Sequence, residues 1–255
     1  MKILAIGDIV GVRAVEYLKK NLWKKRDELR VDLVIANGEN ASDIHGISSS
    51  DAKALLDAGV DLITLGNHTW ARRDIYDFLD SNPDKMIRPA NFPGSCPGYG
   101  YVTVNVCGYN VLIMNAQGQA FMDQLDSPFD SIELILAREE GRYDLAILDF
   151  HAEATSEKYG IARYFDGKIN IIFGTHTHVP TADLQLLPGG TAYVTDLGMT
   201  GPTNGILGTD TNAVLRRMRE HMPSKFFPAD GEIQAQAVLF ETDGTRPVSL
   251  KRIVF

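Results

Sequence analysis

The chain has 255 residues, 44% of them hydrophobic, and a net charge of −8 from 33 acidic against 25 basic side chains. That length can bury a full core as one large α/β domain, and the acidic balance argues against broad electrostatic binding to long nucleic acid or anionic membrane. No run approaches the roughly 20 apolar residues of a membrane span, and Gly7 and Asp8 interrupt the opening stretch, so it is not a signal peptide. Cys96 and Cys107 lack CxxC spacing and make no disulfide framework, so both are expected as free thiols in a cytoplasmic protein.

Strand and helix signals then alternate. Residues 2–6 form a short apolar run, expected as a strand covered on both faces. Residues 12–30 space Val15, Leu18, Leu22 and Leu29 among Lys and Arg, as an amphipathic helix does. A second strand is expected over 33–36. Ser48 or Ser50 is placed to cap a helix through Asp57, with Gly59 ending it. Residues 62–65 read as a third strand and 74–80 as helix, while the proline- and glycine-rich stretch 89–100 reads as loop. Residues 102–106 and 111–115, joined through CGYN, predict a hairpin. A helix is expected over 127–142, and strands over 145–150 and 169–173. From Asp183 the pattern turns antiparallel, with strands over 184–187, 192–195, 235–241 and 249–254. The whole fits one α/β domain with two sheets, or a mixed sheet, sandwiched by helices.

Five apolar runs end in residues able to bind metal. LAIGD reaches Asp8, VIANGEN reaches Glu39 and Asn40, LITLGNH reaches Asn67 and His68, AILDFH reaches His151, and IIFGTHTH reaches His176 and His178. If these are neighbouring strands of one sheet, their carboxyl ends converge where open α/β folds bind ligands. Taken singly, each has a plainer reading: Asp8 as a helix cap, NGEN and GNH as turns. His176 and His178, two positions apart, would face the same side of an extended segment. Together the carboxylates, imidazoles and amides suit Mn, Fe or Zn and suit Ca poorly. Asp8, Glu39, Asn40, Asn67, His151, His176 and His178 make seven donors, too many for one tetrahedral site, and two ions about 3.5–4 Å apart would use them, which points to phosphoester hydrolysis.

The ordered set GD, GEN, GNH, a strand-terminal His and GTHTH resembles the calcineurin-like metallophosphoesterase superfamily. GDIVG, NGEN and GNHTW are similar to its YmdB-type branch, and the likeness runs from Asp8 to GPTNGILG at 201–208. The resemblance implies a metallophosphoesterase-type α/β sandwich of two mixed β-sheets flanked by helices, with residues 1–255 as a single domain. It implies two divalent metal ions, iron or manganese first, with zinc or magnesium as further candidates. A first ion would be held by Asp8, Glu39, Asn40 and His178, and a second by Glu39, Asn67, His151 and His176. Glu39 would bridge them, a metal-bridging hydroxide would attack, and His68 would donate the proton to the leaving group. Two departures matter: the superfamily's D-x-H block is here Asp8, Ile9, Val10, so Asn40 stands in for a histidine, and Glu39 replaces the usual bridging Asp.

The implied reaction is hydrolysis of small cyclic nucleotides, 2',3'-cyclic or 3',5'-cyclic. A phosphomonoesterase or nucleotidase with the same metal site, and a non-hydrolytic metal-dependent regulator, are the rival readings. A dinucleotide-binding oxidoreductase is disfavoured, because GDIVG is not G-x-G-x-x-G. Arg13 reads either as a phosphate ligand or as a solvated helix residue, and His45 as a residue that can line the pocket outside the metal set. Phe92, Trp70, Tyr99 and Tyr101 are the aromatic candidates for stacking on a base, each also explained as core or rim. Self-association is left open by the sequence.

Overall fold

In the computed structural model, which describes residues 1–43 and 45–255, the chain opens with β1 (Lys2–Ile6), β2 (Asp8–Ile9), α1 (Val12–Leu29), β3 (Leu33–Asn37), α2 (Ser49–Asp57) and β4 (Leu62–Thr64). There follow α3 (Ile75–Ser81), β5 (Met86–Ile87), β6 (Tyr101–Val106), β7 (Tyr109–Gln117), α4 (Pro128–Arg138), β8 (Leu145–His151), α5 (Thr155–Tyr164) and β9 (Ile171–Thr175). The last part holds β10 (Gln185–Leu186), β11 (Ala192–Val194), β12 (Met199–Pro202), α6 (Thr211–Glu220), β13 (Ile233–Gln234), β14 (Gln236–Thr242) and β15 (Pro247–Val254). Among the described residues no helix is long and apolar enough to cross a membrane.

Two six-stranded mixed sheets stack face to face. The first has the order β15-β14-β1-β3-β4-β5, and the second β10-β11-β9-β8-β7-β6. In the first, β1, β3, β4 and β5 run parallel while β14 lies antiparallel to β1. In the second, β7, β8, β9 and β11 run parallel and β6 and β10 close the edges antiparallel. Alternation along each strand explains the layering. On β1, Ile3 and Ala5 enter the core between the sheets, whereas Leu4 and Ile6 pack toward α1 and α2. On β8, Leu145 and Ile147 face the first sheet while Ala146, Leu148 and Phe150 pack toward α4 and α5. Both faces of every central strand are therefore covered, and the strands read as continuous apolar runs.

Several expectations are corrected. The five ligand-bearing runs are not neighbours in one sheet: β1, β3 and β4 belong to the first and β8 and β9 to the second. Asp8 is not at the end of β1 but in β2, part of a small third sheet with β12 and β13. Ala192–Val194 is not purely antiparallel, since it pairs parallel to β9. The helix expected over 127–142 ends at Arg138. The helix α5 carries no strong apolar period, burying Lys158, Ile161 and Ala162 around an internal Gly160, and α6, though amphipathic, buries only Ala213 and Val214. The hairpin turns through two residues, Cys107 at φ 53° and Gly108 at φ 90°, as a tight turn requires.

Candidate metal centre

The carboxyl ends of β3 and β4 in one sheet and of β8 and β9 in the other meet along one edge of the sandwich, with β2 beside them. His151, the last residue of β8, is fully buried there. Its Nε2 lies 3.0 Å from Asn67 Oδ1, 3.2 Å from Glu39 Oε1 and 3.1 Å from His176 Nδ1. Its Nδ1 lies 2.9 Å from Thr175 Oγ1, whose hydroxyl donates to Asp149 Oδ1 at 2.7 Å. Because that hydroxyl proton is committed to Asp149, His151 Nδ1 must be the donor to Thr175, and Nε2 points at three other electron-rich atoms. Such a cluster needs a positive charge at its centre.

The electrostatics agree. Burial opposes charge on His151, but Glu39, Asp8 and Asp149 outweigh it and raise its pKa to about 9. Burial likewise pushes up Glu39, but the charge and hydrogen bonding of His151 and His68 win and hold it well below the usual carboxylate range. Burial and the adjacent His151 drive His176 down to about 3, so it is a neutral imidazole. Its Nε2 donates to Glu153 Oε2 at 3.0 Å, which leaves Nδ1 for the centre.

A second group of donors lies on the other side of Glu39. Asp8 is fully buried, with Oδ2 accepting the backbone N–H of His176 at 3.0 Å. Its Oδ1 has no hydrogen-bond partner among the described residues, and it sits 3.9 Å from both His151 Nδ1 and His178 Nε2. Burial raises the Asp8 pKa, against the pull of His178 and His151. His178 donates from Nδ1 to Leu207 O at 3.1 Å, which frees Nε2. Asn40 presents Nδ2 to Glu39 Oε1 at 3.0 Å and to His178 Nε2 at 3.3 Å, and Oδ1 to His68 Nδ1 at 2.8 Å. For Asn40 to offer its oxygen to a cation the amide must turn over, and Glu39 Oε1, 3.3 Å from His68 Nδ1, is then the acceptor left for His68.

These residues fit a metal. Glu39, His151 and His176 each bring a ligand atom within 4.8 Å of the others, the donors are those of a transition-metal site, and Asp8 Oδ1 is buried without a partner. A family model described as YmdB-like protein matches residues 4–253. The chain belongs to this family. It is 40% identical over its full length to the 2',3'-cyclic-nucleotide 2'-phosphodiesterase of Bacillus subtilis, covering 97% of that protein. Its fold superposes on the crystal structure of a hypothetical protein from Thermus thermophilus with a TM-score of 0.95 at 40% identity, covering 100% of this chain and 99% of that one. A phosphatase from Mycoplasma pneumoniae superposes with a TM-score of 0.94 at 32% identity, covering 100% of this chain and 93% of that one. The metallophosphoesterase-type sandwich expected from the motifs is the fold observed.

In this YmdB-like chain the histidine pair converges for a different reason from the one the spacing suggested. Residues 176–178 are not extended: His176 has φ 100° and His178 has φ 63°, in the left-handed region disfavoured by side chains. Asp196 holds the turn, accepting Thr177 N at 3.2 Å, Thr177 Oγ1 at 2.8 Å and the buried Lys158 ammonium at 2.7 Å. Gly66 is equally constrained, because a Cβ there would fall 2.3 Å from His151 Nε2 and 2.5 Å from Glu39 Oε2. Its absent side chain is the space that the donors occupy.

A cavity of about 280 Å³ opens over the centre, lined by Glu39, Asn40, His68, His176 and His178 and by Val10, Leu207 and Phe226 among others. His45 lines it too, its ring edge-on to His68 with centroids 4.3 Å apart. Arg13 is no phosphate ligand here: its guanidinium donates to the carbonyls of Ala229, at 3.2 Å, and Gly231. Trp70 and Phe92 pack on one another with centroids 5.3 Å apart, and neither they nor Tyr99 or Tyr101 line the cavity. Sequence reasoning missed Asp149, Thr175, Glu153, Asp196 and Phe226. Asp149 and Thr175 lie inside apolar strand runs and carry a signal in hindsight, as polar residues at fully buried strand positions. Phe226 lies in an irregular segment without periodicity.

Proposed function

We propose that the chain is a dinuclear metal-dependent phosphodiesterase, a single domain over residues 1–255, that hydrolyses 2',3'-cyclic nucleotides and, as a second class, 3',5'-cyclic ones. In this reading Asp8, Glu39, Asn40 and His178 hold one divalent cation, iron or manganese, and Glu39, Asn67, His151 and His176 hold the other. The observation that carries it is the setting of Glu39. One buried carboxylate oxygen lies 3.2 Å from His151 Nε2 and 3.0 Å from Asn40 Nδ2, touching both donor groups at once. The name of the B. subtilis relative supports the cyclic-nucleotide substrate. The free Cys96 and Cys107 suit a reducing compartment such as the cytoplasm.

When bound, the two cations supply the charge that acidifies an attacking water and neutralises the phosphoryl oxygens. The chain's own residues do the rest. With the Asn40 amide turned to a cation, Glu39 Oε1 at 3.3 Å is the acceptor that faces His68 Nδ1, so that nitrogen keeps its proton. The transferable proton then sits on Nε2, and it passes from there to the departing alkoxide oxygen. The backbone N–H of His68 donates to Glu39 Oε2 at 2.9 Å, locking the proton donor to the shared ligand. That lock keeps the donor in register with the reacting phosphorus.

Metal analysis after loading with manganese or iron tests the reading, followed by turnover on adenosine 2',3'-cyclic and 3',5'-cyclic phosphates, bis(p-nitrophenyl) phosphate and p-nitrophenyl phosphate. Two ions per chain and a preference for diesters are expected. Faster turnover of the monoester would make the chain a phosphomonoesterase, and no turnover of any ester would leave a metal-dependent regulator.

A further inference from the structure

The cavity has two chemistries in its lining. Glu39, Asn40, His68, His176 and His178 suffice for a phosphate and the hydroxyls around it, yet Val10, Leu207 and Phe226 line the same space. A phosphoester with a small polar alcohol leaves those apolar groups facing water. A nucleoside ester does not, because its base is a flat, largely apolar body joined to the phosphate through one sugar.

We propose that Phe226 is the platform on which the base of a nucleotide substrate stacks. This rests on the phosphodiesterase reading above and deepens it by assigning the residue that recognises the base of the nucleotide substrate. The ring is built in rather than loosely draped. The Arg217 guanidinium lies over it, 5.2 Å from the centroid, covering one face and leaving the rest of the half-buried ring to the cavity. The backbone that follows it is tied down: Asp210 N donates to Phe227 O at 3.0 Å, and Ala229 N donates to Gly208 O at 2.8 Å. Arg13 on α1 holds the carbonyls of Ala229 and Gly231. Leu207 in the same unit accepts the Nδ1 proton of His178 at 3.1 Å. The aromatic ring, the apolar wall and a residue of the centre are thus parts of one hydrogen-bonded assembly. Stacking reads only the π-face, so the platform accepts any base and rejects esters that have none.

Binding separates this from the turnover question. Calorimetric titration of the metal-loaded chain with adenosine 3'-phosphate and with glycerol 2-phosphate compares esters of like charge with and without a base. The adenosine ester is expected to bind about tenfold tighter or more, the range of a base–aromatic stack. Phe226→Ala should erase that advantage and leave glycerol 2-phosphate unchanged, while Phe226→Trp should preserve it. Phe226→Leu keeps the apolar bulk without the flat ring and guards against a folding defect in the alanine variant; it should lose most of the advantage. Equal affinities in the parent chain, or an advantage that survives in Phe226→Ala or Phe226→Leu, would overturn the platform. In turnover, Phe226→Ala should raise KM for adenosine 2',3'-cyclic phosphate about tenfold and leave KM for glycerol 1,2-cyclic phosphate unchanged; an equal rise for both would also overturn it. Absence of hydrolysis in the parent chain would sink the phosphodiesterase reading, and the binding comparison would still decide the platform.

Discussion

Asn67 and His68 are neighbours in sequence and make different contacts. Asn67 Oδ1 sits 3.0 Å from His151 Nε2, whereas His68 Nδ1 turns away to Asn40 Oδ1 at 2.8 Å. Substituting His68→Ala is therefore expected to lower kcat by about 10²–10⁴-fold with metal content unchanged by elemental analysis; loss of the metals in that variant would remove the proton-donor role. Glu39→Ala should instead empty both positions, and an unaltered metal count would sink its bridging role. A further expectation follows from His151. Its pKa is raised to about 9 in the metal-free chain, so at neutral pH it carries a proton that a cation must displace. Metal binding should release protons, and affinity should rise with pH until about 9. Titration in buffers of different ionisation enthalpy reads the release, and a buffer-independent heat would count against it. The sign for stability is opposite: the raised pKa stabilises the metal-free fold fully below the ordinary imidazole range, and that contribution fades as pH climbs through about 9. The expected ligands were legible because they cluster in short polar motifs at the ends of apolar runs. Asp149 and Thr175 were not, since a polar residue within such a run looks like an interruption until its partners are seen.

Among the elements, the turn after β4 leaves no room for a side chain at Gly66. Gly66→Ala would drive a methyl against His151 and Glu39, so it is expected to weaken metal affinity about 10–100-fold, as disturbing a ligand's support does. Equilibrium dialysis would measure this, with circular dichroism confirming an intact fold; unchanged affinity would mean that the centre lies elsewhere. The long elements were readable from their periods: α1 and the paired β6 and β7 fall within a residue or two of expectation. Those missed share a cause. The strands β2 and β5 span two residues each, α5 shows only a weak 3.6-residue repeat, and α6 is a ten-residue helix that buries only Ala213 and Val214. The geometry of 176–178 was also beyond the spacing rule, because it depends on Asp196, a residue contributed after β11.

Across the molecule, the candidate donors divide between the two sheets. Glu39, Asn40 and Asn67 follow strands of the first, and His151, His176 and His178 end or follow strands of the second. A cation bound between them is a cross-link between the halves of the sandwich. Removal by a chelator is expected to cost about 2.7 kcal/mol where metal stands at a hundredfold over its dissociation constant. That corresponds to about 5–10 °C in Tm for a chain of this size. Scanning calorimetry before and after chelation checks this, and an unchanged Tm would mean that the folded chain holds no metal at that affinity. Strand adjacency was the part of the fold that the sequence withheld: apolar runs announce strands, but which runs pair is decided by long-range packing. The pairing of β1 with β14 shows how long-range. The Met1 ammonium donates to the carbonyl of Thr242, 241 positions away, and Gly7 N donates to Gln236 O just before Asp8. At a synthesis rate of about 5–20 residues per second, Asp8 leaves the ribosome tens of seconds before β14, the strand that pairs with β1 just ahead of it. Assembly of the centre is therefore expected to be timed by translation itself: a polypeptide stalled before β14 holds every candidate ligand in its sequence yet lacks the strand that flanks β1.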